Sequence, residues 1–113
     1  MKVSNLIPII ENRYQFNLRF QKFIPNQPGC YVISTFDDEI LYVGLTDNLR
    51  RRFGEHRGNR EKINLTIQGK AFWFYFMTYV KKDLCKMERT WLNQYEVIHG
   101  NLPILNKISS PVH

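Results

Sequence analysis

Four side chains able to handle protons or phosphate lie close together in the stretch PGCYVISTFDDEILYVGLTDNLRRRFGEH, from Pro28 to His56. Tyr31 and Tyr42 occupy equivalent places in two short segments of strand character. Arg52 and His56 are four residues apart and share one face of a helix if the basic run between them is helical. A guanidinium matches phosphate oxygens with planar, charge-assisted donors, and phenol and imidazole groups both donate and accept protons. What this set lacks is a carboxylate, so another part of the chain has to bring one.

The elements that position these groups follow from local chemistry. Pro28 and Gly29 mark an entry turn, and Cys30 to Thr35 has the β-branched and aromatic bias of a strand. Asp37, Asp38 and Glu39 form the polar tip of a hairpin that returns as Ile40 to Gly44, and they lack the spacing of a calcium loop. Gly44 allows a sharp turn, and Thr46 or Asp47 is expected to cap a helix over Asn48 to Arg57. In that helix Leu49, Phe53 and His56 face the sheet, Arg50, Arg51 and Arg57 point away, and Arg52 sits at the border. Gly58 to Gly69 is polar, a loop or short helix that tacks Ile63, Leu65 and Ile67 onto the core.

Ala71 to Val80, AFWFYFMTYV, is the most apolar run and predicts a central strand, which needs cover on both faces. Asp83 opens the last long helix, which ends near His99 and Gly100 and buries Leu84, Met87, Trp91, Tyr95 and Ile98. Glu88 lies against that stripe. By periodicity alone it reads as a carboxylate tied to a neighbouring cation for structural reasons, with a catalytic role as the alternative. Residues 1–27, with an apolar pattern broken by Pro8 and Pro25, predict short pieces forming an arm that packs on the core, either as a cover or as a contact for a partner or substrate. In the tail, Leu102, Ile104 and Leu105 bring Asn106 back to the fold.

A chain of 113 residues with 43% hydrophobic content supports one core. The formal charge of +6 points to a polyanionic partner, nucleic acid foremost, and it is concentrated where Arg50, Arg51, Arg52, Arg57, Arg60 and Lys62 follow one another. Cys30 and Cys85 lack a metal-ligand pattern and read as reduced, half-buried thiols of an intracellular, cytoplasmic protein. The sequence has neither a run of 18 apolar residues nor a recognisable leader, so no membrane or secretory address is expected.

The order Gly29-Cys30-Tyr31, then Tyr42-Val43-Gly44, then Arg52 eight residues after that glycine, His56, Glu88 on a late helix and Asn106 beyond it resembles the GIY-YIG nuclease family. The resemblance runs from about Pro28 to Asn106. It implies an α/β (α+β) fold, a three-stranded antiparallel sheet flanked by helices, with the nuclease domain over residues 28–113. The implied activity is divalent-metal-dependent endonuclease cleavage of DNA, leaving a 5′-phosphate and a 3′-hydroxyl, with one Mg2+ or Mn2+ ion per site. On the same resemblance Glu88 is the metal-binding carboxylate and Arg52 the arginine at the scissile phosphate. Tyr31 and Tyr42 are the motif tyrosines, His56 fills a His-or-Tyr position, and Gly44 and Asn106 are supporting residues.

These assignments are chemically coherent. Magnesium is a hard cation for which one carboxylate can suffice alongside water and phosphate oxygens. A phenol with an ordinary pKa of about 10 needs help from a cation to act as a base near neutrality. Tyr31 and Tyr42 both stand as candidates for that base, with His56 as a third proton handler. Arg50, Arg51, Arg57 and Arg60 are expected to meet nucleic acid, and Phe36, Trp73 and Tyr75 are candidates for stacking on bases. Leu45 departs from the pattern, since some members carry a lysine there; Lys70, Lys107 or His56 are the possible replacements. The rival reading is a non-catalytic nucleic-acid-binding module of the same fold, for which the basic helix alone would be enough. The strand state of the DNA is open, and a sequence-specific enzyme of this size would need a homodimer or the 1–27 arm to extend its contacts.

Overall fold

Four antiparallel strands form the sheet that carries the site. They are β1 (Arg13–Gln15), β2 (Gly29–Ser34), β3 (Ile40–Thr46) and β4 (Trp73–Thr78), arranged in the order β1-β4-β2-β3. The computed structural model describes residues 1–108; residues 109–113 of the expected 28–113 domain lie outside the described residues. In the centre, β2 pairs with β3, Tyr31 opposite Gly44, and with β4, Tyr31 opposite Phe76. The strand beyond the expected three comes from the N-terminal stretch, where Arg13, Tyr14 and Gln15 pair with Tyr75, Phe74 and Trp73. Three residues are too few to display an alternating pattern, and the open edge of β4 is what makes them a strand. The same stretch buries Val3, Leu6, Ile10, Phe16 and Ile24. It is therefore both an edge of the sheet and a large contributor to the core.

The helices are α1 (Leu49–Arg57), α2 (Arg60–Ile63), α3 (Leu84–His99) and α4 (Ile104–Ile108). The alternation of β2 sends Cys30 and Val32 to a cluster with Val43, Leu84, Met87, Trp91 and Tyr95. Tyr31 and Ile33 join Tyr42, Leu49, Phe53, Phe74 and Phe76 in a second cluster. Thus α3 covers one face of the sheet and α1 the other, as the apolar β4 requires. The β2–β3 register shifts between Ile33 and Ser34, and Leu41 and Tyr42 both enter the α1-side cluster.

Several local expectations change. The strand β3 runs on to Thr46, so neither Thr46 nor Asp47 caps α1. Asn48 does, its side chain accepting from Arg51 N at 3.1 Å, while Thr46 Oγ1 accepts from Asn48 N at 3.0 Å. The expected strand over Ala71 to Val80 is shorter, Trp73–Thr78. Ile98 is 60% exposed, because the buried stripe of α3 ends at Tyr95, one turn before the helix does. Leu65 and Ile67 are 77% and 95% exposed; they flank Thr66 in a turn closed by paired Thr66–Gly69 backbone hydrogen bonds, which leaves no core for them to reach. Gly100 does end α3, with φ of 75° and its N–H donating to Glu96 O at 2.7 Å.

Candidate active site

On the α1 side of the sheet, two neighbouring strands hold the two tyrosines side by side. The rings of Tyr31 and Tyr42 stack with centroids 5.9 Å apart. Gly44, directly opposite Tyr31, lies inside β3 and not at a turn; it matters because of the space above it. A Cβ there would stand 2.5 Å from both Cζ and Oη of Tyr31, so only glycine lets the phenol lie across β3.

The helix α1 adds His56 and Arg52 to this pair. Tyr31 Oη and His56 Nε2 are 2.6 Å apart, and the imidazole lies 5.1 Å from the Tyr42 ring. Burial, followed by the charges of Lys62 and Arg52, pushes the His56 pKa down to about 3. His56 is therefore neutral at neutral pH. Burial also raises the Tyr31 pKa well above its usual 10; Tyr42 pushes the same way and Arg52 opposes. The resting pair is a neutral phenol against a neutral imidazole.

Arg52 sits at the border of α1 as its spacing predicts, its side chain only 15% exposed, with Nη1 3.0 Å from Glu55 Oε1. Its Nε is buried and makes no hydrogen bond among the described residues. A buried guanidinium donor left open in this way calls for an acceptor.

Glu88 approaches from the α3 layer, half-buried. Its negative charge acts on both Cys30 and Tyr31, raising their pKa values. Cys30 is pushed to about 12, mostly by burial, and is a protonated core thiol. The two cysteines are free, but they are not alike as expected: Cys30 is buried and Cys85 exposed. Asn106, on α4, accepts from Val43 N and donates to Val43 O, both at 2.9 Å. It thus pairs like a strand residue with the outer edge of β3, between Tyr42 and Gly44.

The four expected nucleic-acid contacts diverge. Arg50 is exposed, with Nε donating to Ile24 O at 2.8 Å. Arg51 is exposed and ion-paired to Asp47 and Glu55 at 2.5 and 3.5 Å. Arg60 is exposed at the start of α2. Arg57, expected to point away, instead folds over Phe16, its guanidinium carbon 5.2 Å from the ring centroid and its Nε buried. The stretch 1–27 supplies that aromatic surface, which the spacing within α1 alone does not reveal.

Of the stacking candidates only Phe36 is open, at 66% exposure. Trp73 donates to Phe36 O and lies under Arg13, and Tyr75 is buried and donates to Asp38. Sequence reasoning missed Lys62. It sits among charged residues on the one-turn helix α2, yet it is only 2% exposed, with Nζ 4.8 Å from the Tyr42 ring centroid. A one-turn helix has no periodicity to betray which side is buried; the only signal is Asn59, whose side chain caps it. Lys70 is exposed, and the side chain of Lys107 lies outside the described residues.

Among the described residues, no group of three His, Cys, Asp or Glu side chains gathers as a metal cage. Glu88 alone suits a hard cation that completes its shell with water and phosphate oxygens. No helix among the described residues is long and apolar enough to cross a membrane.

The chain is similar to proteins of known name. The chain is 45% identical over 47 residues to the UvrABC system protein C of Prochlorococcus marinus (strain NATL1A), covering 42% of this chain and 7% of that protein. It is 31% identical over 75 residues to the Geobacter sp. (strain M21) protein of the same name, covering 63% and 12%. The Tropheryma whipplei (strain Twist) protein is 34% identical over 79 residues, covering 64% and 12%. The chain thus spans only a small part of the length of these relatives. Residues 27–100, which hold both tyrosines, Arg52, His56 and Glu88, match the GIY-YIG catalytic domain, and the chain belongs to the GIY-YIG nuclease family.

Proposed function

We propose that this protein is a divalent-metal-dependent endonuclease that hydrolyses DNA phosphodiester bonds, leaving a 5′-phosphate and a 3′-hydroxyl. The observation that carries this reading is the 2.6 Å contact between Tyr31 Oη and a neutral His56, beside the open Nε of Arg52. Arg52 binds the scissile phosphate, and its planar donors stabilise the charge that grows on the oxygens as water attacks. Tyr31 accepts the proton of the attacking water at Oη while its own proton passes to Nε2 of His56, which holds its other proton on Nδ1. The water oxygen bonds to phosphorus as the P–O3′ bond breaks, and the departing O3′ takes a proton from solvent water to become the 3′-hydroxyl. Tyr42, stacked on Tyr31, orients the water or the phosphate.

A phenol alone is a weak base near neutrality, and the resting imidazole, with its pKa near 3, is weaker still. The negative charge of a bound phosphate beside Arg52 would raise the imidazole pKa and make it the acceptor the phenol needs. Glu88 would hold one Mg2+ or Mn2+ ion, which supplies Lewis-acid charge to the phosphate when bound. Asn106 fixes the edge of β3, and with it the position of Tyr42. Arg50, Arg51 and Arg60 offer exposed charge to flanking phosphates. A homodimer would widen this limited surface, and sedimentation tests for it.

The test compares wild type with Glu88→Ala on labelled single-stranded, duplex and branched DNA, with magnesium, manganese or EDTA. The expected result is metal-dependent cutting that disappears in the variant while DNA binding persists. Binding without cutting by the wild type in every condition would leave the non-catalytic binding module as the correct reading.

A further inference from the structure

Lys62 is a buried cation, 2% exposed, with no carboxylate within ion-pair distance among the described residues. What it faces is the ring of Tyr42, with Nζ 4.8 Å from the centroid. Burial lowers its pKa, Glu61, its sequence neighbour, opposes, and the charge of Arg52 adds to the lowering. The same two cations act on His56. Lys62 and Arg52 therefore converge on the Tyr31–Tyr42–His56 group. Two like charges in a covered site are unfavourable to each other and to folding, and a cation–π contact offsets only part of that cost. The open Nε of Arg52 adds a buried donor still lacking an acceptor. An anion between the two cations would answer all three features.

We propose that Lys62 and Arg52 together form a phosphate subsite over Tyr42, Lys62 binding a non-bridging oxygen that Arg52 does not. The subsite rests on the nuclease reading for its substrate, but its affinity for phosphate can be measured without any cutting. Lys62 supplies this charge from α2, with Nζ over the ring of Tyr42.

The test uses Lys62→Met, which keeps an unbranched stem, and Lys62→Arg, which keeps the charge. Thermal unfolding is followed with and without inorganic phosphate, and cleavage is measured on the DNA that the wild type cuts. Phosphate is expected to raise the wild-type Tm, and this rise is lost in Lys62→Met and retained at least in part in Lys62→Arg. Without phosphate, the Tm of Lys62→Met should equal or exceed that of wild type, because the buried charge is gone. Its cleavage rate should fall about 10- to 100-fold, the loss of one charge-assisted hydrogen bond.

The inference is overturned if phosphate leaves the wild-type Tm unchanged, or if Lys62→Met keeps the full rise. It is also overturned if Lys62→Met is destabilised yet cuts normally, since the lysine would then be only a packing element. The two proposals fail separately. A Lys62-dependent phosphate shift without cutting by wild type would keep the subsite and remove the nuclease; normal cutting by Lys62→Met would do the reverse.

Discussion

On the α3 side of the sheet, Cys30, Val32 and Val43 meet Leu84, Met87, Trp91 and Tyr95, an almost wholly apolar layer. On the α1 side, neighbouring positions of the same strands bury Tyr31 and Tyr42 with Phe53 and Phe74, and His56 and Lys62 are buried beside them. The strands are shared, so the difference comes from what each helix brings. Trp91 on α3 is fully buried and its one polar atom donates to Pro8 O at 3.0 Å. Arg52 on α1 keeps a buried donor open, and burial drives His56 away from its ordinary titration range. On the α1 face the Arg52 donor is left open at rest, which is what the proposed anion would answer. Stability is therefore expected to reside mainly on the α3 face, and chemistry on the α1 face with the Glu88 carboxylate contributed from α3.

The largest separation should come from Trp91→Ala. Emptying a fully buried indole site costs about 3–5 kcal/mol, to be read from chemical denaturation, while cutting per folded molecule is unchanged. A matching loss of catalytic rate per folded molecule would mean that the faces are not separable. Arg52→Met should do the opposite, lowering the cleavage rate about 100- to 1000-fold. Its folding stability should change by less than about 1 kcal/mol, because the ion-pair partner Glu55 is half exposed.

A subtler contrast lies in pH. Folded His56 has a pKa of about 3 against an ordinary 6.5, so below 6.5 the unfolded chain binds a proton that the folded chain refuses. This one group should make stability fall with pH from 6.5 towards 3, at up to about 1.4 kcal/mol per unit. Denaturant titrations at successive pH values should show that part of the slope missing in His56→Gln. Equal slopes in the two proteins would mean that His56 is solvated in the folded state.

Much of this arrangement is legible in the sequence because it is local. The hairpin and α1 follow directly from Tyr31 to His56, where strand bias, an acidic turn and helical spacing reinforce one another. The burial of Leu84, Met87, Trp91 and Tyr95 follows from a long helix whose period is well sampled. What escapes is set by distant partners or by very short elements. Arg13, Tyr14 and Gln15 become a strand only because β4 offers an edge. Arg57 turns inward onto Phe16, a residue from the other end of the sheet's connectivity. Lys62 sits in a polar run that reads as a solvated face, and only the approach of α2 to Tyr42 buries it. Gly44 is visible as a motif glycine, but the contact that requires it, with the Tyr31 phenol, is a cross-strand property.

The most direct measurement is DNA cleavage by Tyr31→Phe, which removes one oxygen and keeps the ring that packs on Phe74 and Tyr42. The expected result is a folded protein, within about 1 kcal/mol of wild type, that cuts at least about 100-fold more slowly. Cutting at the wild-type rate would contradict the assignment of Tyr31 and His56 to proton transfer at this site.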